Sequence, residues 1–219
     1  MMTLMRLYAK SDVERLWNSV LAELEGYDSK EITPFYASQS AQDFVTVSLY
    51  AKSPDSIMEF LTQQICRIDD LSDSHTIPLV KPAFLPILKD TPATMERYTA
   101  EVKAHPKNYS KLYESLIENK YGRDLVLAYV AYLFGEYDLL LSLLAKERKA
   151  AEEFMNSMKK TGDAIETKIT PIKRTVLLAR REDWDRFRAR LLHRPSWLKH
   201  DVEALYDFNL SVTEYGSPY

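Results

Sequence analysis

The strongest constraint on the fold of this chain is an internal repeat. Residues 41–60, AQDFVTVSLYAKSPDSIMEF, align without a gap to residues 135–154, GEYDLLLSLLAKERKAAEEF, at an offset of 94 positions. Six of the twenty aligned positions are identical, whereas unrelated residues agree at about one position in twenty. The identical pairs are Ser48/Ser142, Leu49/Leu143, Ala51/Ala145, Lys52/Lys146, Glu59/Glu153 and Phe60/Phe154. The repeat predicts a duplication, so the fold should contain one unit twice.

Both copies show the same order of helical and extended patterns. SDVERLWNSVLAELEG carries an apolar stripe at helical spacing, with Ser11 and Glu14 spaced as a capping box. HPKNYSKLYESLIENKYG carries a second stripe, which starts after Pro106 and ends before Gly122. One short apolar run precedes each of these helices, and two follow it; a second helix and a last extended run complete the order. Each half therefore reads β-α-β-β-α-β, in residues 1–90 and 91–179 respectively.

This order predicts which face of each sheet is covered. Two right-handed βαβ crossovers place both helices on one face of a four-stranded antiparallel sheet and leave the other face bare. Alternation along the third strand assigns apolar residues to the covered face and a mixture of aromatic, apolar and small polar residues to the bare face. We therefore predict an α+β fold: two ferredoxin-like βαββαβ repeats whose sheets pack face to face as a dimeric α+β barrel with a partly polar interior, plus C-terminal helices in residues 180–219.

Composition excludes several classes of partner. The 29 Lys and Arg residues and 32 Asp and Glu residues give a formal net charge of −3, which provides no global attraction to nucleic acid or anionic lipid. The single cysteine, Cys66, excludes an internal disulfide and suits a reducing compartment. No apolar run approaches the ~18 residues of a membrane helix. We expect a cytoplasmic protein with no membrane partner.

One basic segment stands out near the C-terminus. Residues 173–200 contain nine Lys or Arg and three acidic residues, and they include Trp184 and Trp197. Such a patch attracts phosphate groups, and its indole rings would stack on bases, so nucleic-acid binding is kept as a minor alternative. No nucleic-acid motif frames the patch, which favours a solvated helix face, and nucleic acid is an unlikely partner.

The second copy resembles a known family. The stretch GEYDLLLSLLAK, preceded by VLAYVAYLF and followed by a helix and the strand TKITPIKRTVLL, is similar to the effector-binding domain of the Lrp/AsnC family of feast/famine regulators. The similarity covers residues 95–179. It is weaker over residues 1–90, where Ala41, Gln42, Asp43 and Phe44 occupy the positions of Gly, Glu, Tyr and Asp. The family forms dimeric α+β barrels from two such units, and this chain looks like two units fused.

The resemblance implies a function and a site. Lrp-type regulators carry a helix-turn-helix domain ahead of the effector domain, and this chain reaches its first strand without one. The resemblance therefore implies a stand-alone regulatory module that binds a small-molecule effector, such as an amino acid, and acts through a protein partner or a homo-oligomer. Carried over to this sequence, the ligand-binding residues are Gly135, Tyr137 and Asp138, with Thr170 on a facing strand. The alternative is a tight turn with an exposed Asp138 and a packed Tyr137.

An enzyme is the second function class, because dimeric α+β barrels include monooxygenases and haem-related enzymes. His75 lies near a strand start and His105 lies just before a helix, so either is a candidate haem ligand or proton carrier. Neither has a partner at motif spacing, and no nucleotide-binding or nucleophile motif is present. The sequence therefore predicts no cofactor, no metal and no catalytic residue, and the enzyme alternative places any activity in the cavity between the sheets.

Overall fold

The computed structural model describes residues 1–25, 27, 29–85, 95–118 and 121–178. The predicted C-terminal helices of residues 180–219, with Trp184 and Trp197, lie outside the described residues. The first unit contains β1 (Met2–Ala9), α1 (Val13–Leu24), β2 (Ile32–Ser40), β3 (Phe44–Ala51), α2 (Pro54–Gln63) and β4 (Leu71–Phe84). The second unit contains β5 (Glu96–Ala104), α3 (Tyr109–Glu118), β6 (Leu125–Leu133), β7 (Leu139–Ala145), α4 (Arg148–Lys160) and β8 (Ala164–Leu177).

The eight strands close into one antiparallel barrel. Their order around the barrel is β1-β3-β2-β8-β5-β7-β6-β4. The two sheets meet along both edges, because β8 pairs with β2 and β4 pairs with β6. β4 and β8 have 14 residues each, long enough to pair within their own unit and with the other. This topology confirms the predicted fold class of two ferredoxin-like repeats joined as an α+β barrel.

Three layers of side chains account for the packing. On the outer face of the first unit, Val45, Val47 and Leu49 are fully buried beneath α1 and α2. Leu139, Leu141 and Leu143 are buried in the same way beneath α3 and α4. Alternation along the strands turns the remaining residues inward, where the lumen holds an apolar cluster together with buried polar side chains. The polar ones on β3 and β7 are Thr46, Ser48 and Ser142.

The start of α1 differs from the predicted capping box. The N-cap is Asp12, whose carboxylate accepts from the Glu14 backbone N–H at 2.9 Å. The hydroxyl of Ser11 instead donates to Asp70 Oδ1 at 2.7 Å. The Glu14 carboxylate is bound to the second unit, where it contacts Lys173 and Arg174 on β8. A long-range ion pair therefore replaces the local reciprocal cap that the spacing predicted.

The described helices are short. The longest of them, α4, has 13 residues, and within the described ranges no helix has both the length and the apolar character needed to cross a bilayer.

Candidate functional site

One mouth of the barrel carries a buried ion pair between the two units. The Arg6 guanidinium on β1 lies 2.9 Å from Glu101 Oε1 on β5, with side chains 11% and 7% exposed. β1 and β5 are separated by three strands in either direction around the barrel, so the pair spans the lumen. Such a pair costs desolvation energy that only close, well-oriented partners recover. The pair therefore joins the two units across the lumen at this mouth.

Arg6 and Glu101 occupy equivalent positions in the two units. Arg6 is the register partner of Thr46 on β3, and Glu101 is the register partner of Leu140 on β7. Thr46 and Leu140 are themselves separated by the 94 positions of the internal repeat. The two units are related by an approximate two-fold rotation. The ion pair therefore joins one position of the first unit to the equivalent position of the second unit.

A cleft of about 340 Å³ opens above this ion pair. Its first wall comes from β1 and β4, and its second comes from β5, β8 and the loop between β6 and β7. Seven of the twelve lining residues have ionisable side chains. The lining residues are Arg6, Tyr8, His75, Thr76, Ile77, Glu101, Leu133, Phe134, Gly135, Glu136, Tyr137 and Lys168. A concave site with convergent polar groups and aromatic side chains is suited to a small ligand.

The loop between β6 and β7 brings two of the predicted residues to the cleft. Gly135 has a φ of +143°, which a glycine adopts readily and other residues do not, and the chain reverses there as the sequence predicts. Tyr137 follows, and its hydroxyl donates to Glu166 Oε1 at 3.0 Å. Burial and the neighbouring Glu166 raise the pKa of Tyr137 to about 12. The phenol therefore stays protonated at neutral pH.

The other two predicted residues do not line this cleft. The Asp138 carboxylate accepts from the Ala104 backbone N–H at 2.8 Å and from the Tyr109 hydroxyl at 2.7 Å. This second bond raises the pKa of Tyr109. Thr170 is buried on β8 beside Thr99, whose hydroxyl donates to the Thr170 carbonyl at 3.5 Å. Asp138 thus joins the turn to β5 and α3, and Thr170 belongs to the barrel interior.

His75 is the histidine that the cleft contains. Its Nε2 lies 3.2 Å from Asp73 Oδ2, and its ring meets Tyr8 edge-on with a centroid separation of 5.0 Å. The Ser74 backbone N–H donates to Asp73 Oδ1 at 2.7 Å and so orients the carboxylate. His105, the other candidate from the sequence, is exposed and is not among the cleft residues.

The sequence analysis missed Arg6, Glu101 and Lys168. They come from three strands in two units, so no local spacing connects them. Arg6 does carry a signal, because it is the single charged residue in the strand run MTLMRLYA, whereas Glu101 is one of four charged residues in ERYTAEVKA and does not stand out. A charge on the inward face of such a strand predicts a buried partner or a site.

The barrel interior beyond the ion pair is partly polar, as the strand alternation predicts. Arg97 on β5 is buried and donates to Ser142 Oγ at 3.4 Å. Burial lowers the pKa of Arg97 to about 10. In the part of the chain that the structure describes, no group of three or more His, Cys, Asp or Glu side chains is placed to hold a metal ion.

Comparison with known proteins identifies the fold. No family model matches the sequence, and no curated protein matches it either. Among solved structures, the siroheme decarboxylase NirDL in complex with an iron-uroporphyrin III analogue matches with a TM-score of 0.54 and 7% identity, over 88% of this chain and 78% of that chain. A second structure of NirDL gives 0.53 and 8%, over 94% and 80%. A monooxygenase-like protein from Lactobacillus acidophilus NCFM gives 0.50 and 7%, over 81% and 95%.

These matches correct one expectation. The chain has the dimeric α+β barrel fold, but its structural neighbours are enzymes of that fold, so the predicted membership of the Lrp/AsnC family is wrong. The physical reason lies in the motif. A glycine turn followed by an acidic residue and an apolar strand builds the β6–β7 turn of this barrel, and Asp138 serves that turn. The pattern therefore reports the fold and carries no information about an effector.

Proposed function

We propose that this chain is an enzyme of the dimeric α+β barrel class that removes a proton from a small organic molecule bound in the mouth cleft. The neighbours in fold, a decarboxylase and a monooxygenase-like protein, support an enzyme over the regulatory module that the Lrp/AsnC resemblance implied. The observation that carries the proposal is the His75–Asp73 pair, whose histidine lines a cleft of ionisable and aromatic side chains.

His75 is the group that would accept the proton. Asp73 holds the imidazole through Nε2, which favours the tautomer with the hydrogen on Nε2 and leaves a lone pair on Nδ1. The proton passes from an acidic C–H or O–H of the substrate to Nδ1, and the carboxylate of Asp73 stabilises the imidazolium that forms. The ring is more than half exposed, so a molecule entering from solvent reaches it directly.

The rest of the cleft positions the substrate and limits the reaction. The Arg6–Glu101 pair forms the floor and prevents the ligand from sinking into the lumen. Tyr137, with its pKa at about 12, remains a neutral phenol at the rim and does not compete as a base. These groups fix orientation, and orientation supplies a large share of enzymatic rate enhancement.

A tetrapyrrole fits this cleft poorly. A macrocycle requires a wide slot that is apolar on both faces, whereas most of the lining side chains here are ionisable and the volume lies at the lower end for ligand sites. In addition, Nε2 of His75 is engaged by Asp73. The residues that line the cleft do not favour a haem group.

Proton exchange tests the proposal. Wild-type protein is incubated in D₂O with a panel of 1,3-dicarbonyl compounds and other carbon acids, and loss of their C–H signals is followed by NMR. For a compound that exchanges, we expect His75→Asn to slow exchange by about 10² to 10⁴-fold. His105→Asn is the matched control, since His105 is exposed and does not line the cleft.

Equal rates in wild-type protein and in His75→Asn would reject His75 as the base. Exchange that falls equally in His75→Asn and His105→Asn would mean that the loss is not specific to the cleft. Circular dichroism and unfolding curves on each variant show that the fold is intact.

A further inference from the structure

We infer that the cleft selects a planar organic anion, typified by an aromatic carboxylate, whose negative group is held by Lys168. This inference rests on the proposed function and names the class of substrate that the site accepts.

Lys168 has a charge that the protein does not neutralise. It lies on β8 directly across from Glu101 on β5, which would be the obvious partner. Glu101 instead binds Arg6 across the lumen at 2.9 Å. Among the described residues, no carboxylate lies within 4.0 Å of the Lys168 ammonium. Because the Arg6–Glu101 pair is neutral as a unit, Lys168 supplies the positive charge on its side of the cleft.

Arg6 strengthens this assignment from below. One of its terminal nitrogens binds Glu101, while its Nε is buried and has no acceptor among the described residues. A buried guanidinium nitrogen without an acceptor carries a desolvation cost that a nearby anion reduces. The Arg6–Glu101 pair is neutral as a unit, so the main attraction for an anion comes from Lys168 and Arg6 Nε adds to it locally.

The opposite charge in the cleft provides an internal comparison. Glu136 reaches the cleft from the exposed loop between β6 and β7, and it forms no ion pair within 4.0 Å among the described residues. An anion bound beside Lys168 would be repelled by Glu136 and attracted by Lys168. Removal of the Lys168 charge should therefore weaken anion binding, and removal of the Glu136 charge should strengthen it. A purely structural role for either residue would not produce opposite effects on affinity.

Aromatic side chains define the shape of the ligand. Tyr8, Phe134 and Tyr137 all line the cleft, and Phe134 is 69% exposed. An aromatic ring at the rim of a cleft offers a flat face on which a ligand ring can stack. Flat rings and a volume of about 340 Å³ suit one aromatic ring and its substituents.

Calorimetric titration with benzoate and its neutral analogue benzamide tests the inference. We expect wild-type protein to bind benzoate more tightly than benzamide, and the preference to weaken as salt is raised. Lys168→Met should weaken benzoate binding by about three- to tenfold, a modest factor because the ammonium is exposed, and leave benzamide binding unchanged. Lys168→Arg should restore most of the affinity, and Glu136→Gln should increase it.

Lys146→Met is the matched control. Lys146 is an exposed cation that follows β7 and lies 4.0 Å from Asp124, away from the cleft residues. Its replacement should leave benzoate affinity at the wild-type value. Equal binding of benzoate and benzamide, or equal losses in Lys168→Met and Lys146→Met, would overturn the inference.

The two proposals fail separately. His75→Asn should lose proton exchange but still bind benzoate more tightly than benzamide, because that preference depends on Lys168. If neutral compounds alone bind and exchange in a manner that depends on His75, the anion inference is rejected and the enzyme proposal stands. If benzoate binds through Lys168 but no compound exchanges its protons, the assignment of His75 is the one rejected.

Discussion

Breaking the Arg6–Glu101 ion pair from one side should be far more costly than removing the pair. Glu101→Gln keeps the shape of the side chain and leaves the Arg6 charge 11% exposed without its carboxylate. At 2.9 Å and an effective dielectric constant of about 20, the attraction lost is about 6 kcal/mol before solvation is counted. Partial rehydration of Arg6 recovers some of this energy, and the expected loss is about 3 to 5 kcal/mol of unfolding free energy.

The two single variants should differ, because only one of the partners has a substitute. In Arg6→Met, the Glu101 carboxylate can turn to Lys168, its register partner on β8. We therefore expect Arg6→Met to cost about 1 to 2 kcal/mol less than Glu101→Gln. The double variant Arg6→Met/Glu101→Leu fills the lumen with apolar atoms and should lie within about 1 kcal/mol of the wild type.

Equilibrium unfolding in urea measures these differences, with the slope of the transition checked for each variant. The exposed Lys52–Glu31 pair is the matched control, since its Nζ–Oε1 distance is also 2.9 Å but its side chains are 64% and 41% exposed. Lys52→Met should cost less than about 1 kcal/mol. The reasoning fails if Glu101→Gln costs no more than Lys52→Met, or if the double variant loses as much as the two single variants together.

Two further predictions concern the loop and the link between the units. Gly135→Ala should destabilise the fold by about 1 to 2 kcal/mol because residue 135 has a φ of +143°, even though the added methyl group meets no atom within 4 Å. Gly122→Ala is the control, since Gly122 also lies in open space but has no positive φ. Thermal unfolding of this control should be close to that of the wild type. Hydrogen bonds from Lys173 and Gln39 lower the pKa of Glu14 from 4.5 to about 2. Between these pH values the unfolded chain binds a proton at Glu14 that the folded chain does not. The free energy of unfolding should therefore fall as the pH drops from about 4.5 to about 2. Glu14→Gln should flatten that part of the melting temperature profile, while Glu25→Gln, at the end of the same helix, should not; an unchanged profile in Glu14→Gln would contradict the assigned link.

The architecture could be predicted from the sequence because its determinants are local. Periodicity in the α1 segment placed Leu16, Trp17 and Val20 on one buried face, and the structure buries all three. Alternation along β3 and β7 separated the residues under the helices from those inside the barrel. The internal repeat then required the two halves to share one topology. The periodicity and the alternation depend on neighbours within a few residues, and the repeat is found by comparing the two halves of the sequence, so none of these signals requires knowledge of a long-range contact.

The site was harder to predict from the sequence because the residues that form it are distant from one another along the chain. Gly135 and Tyr137 were predicted as ligand-binding residues from the Lrp/AsnC resemblance, and both line the cleft. Lys168 was not predicted, since its role depends on Glu101 being bound to Arg6 on the opposite side of the lumen. Asp138 illustrates the reverse problem, because its carboxylate satisfies the Ala104 N–H and the Tyr109 hydroxyl, which no pattern within the loop reveals.

Covalent linkage of the two copies has a consequence for charge. In an assembly of two identical chains, a residue at the Arg6 position would face another arginine, and one at the Glu101 position another glutamate. Either self-contact would place two like charges together in a buried position, which is strongly unfavourable. A single gene encoding both copies lets the counterparts evolve toward opposite signs, so neither half, expressed alone, should assemble a stable homodimeric barrel of this kind.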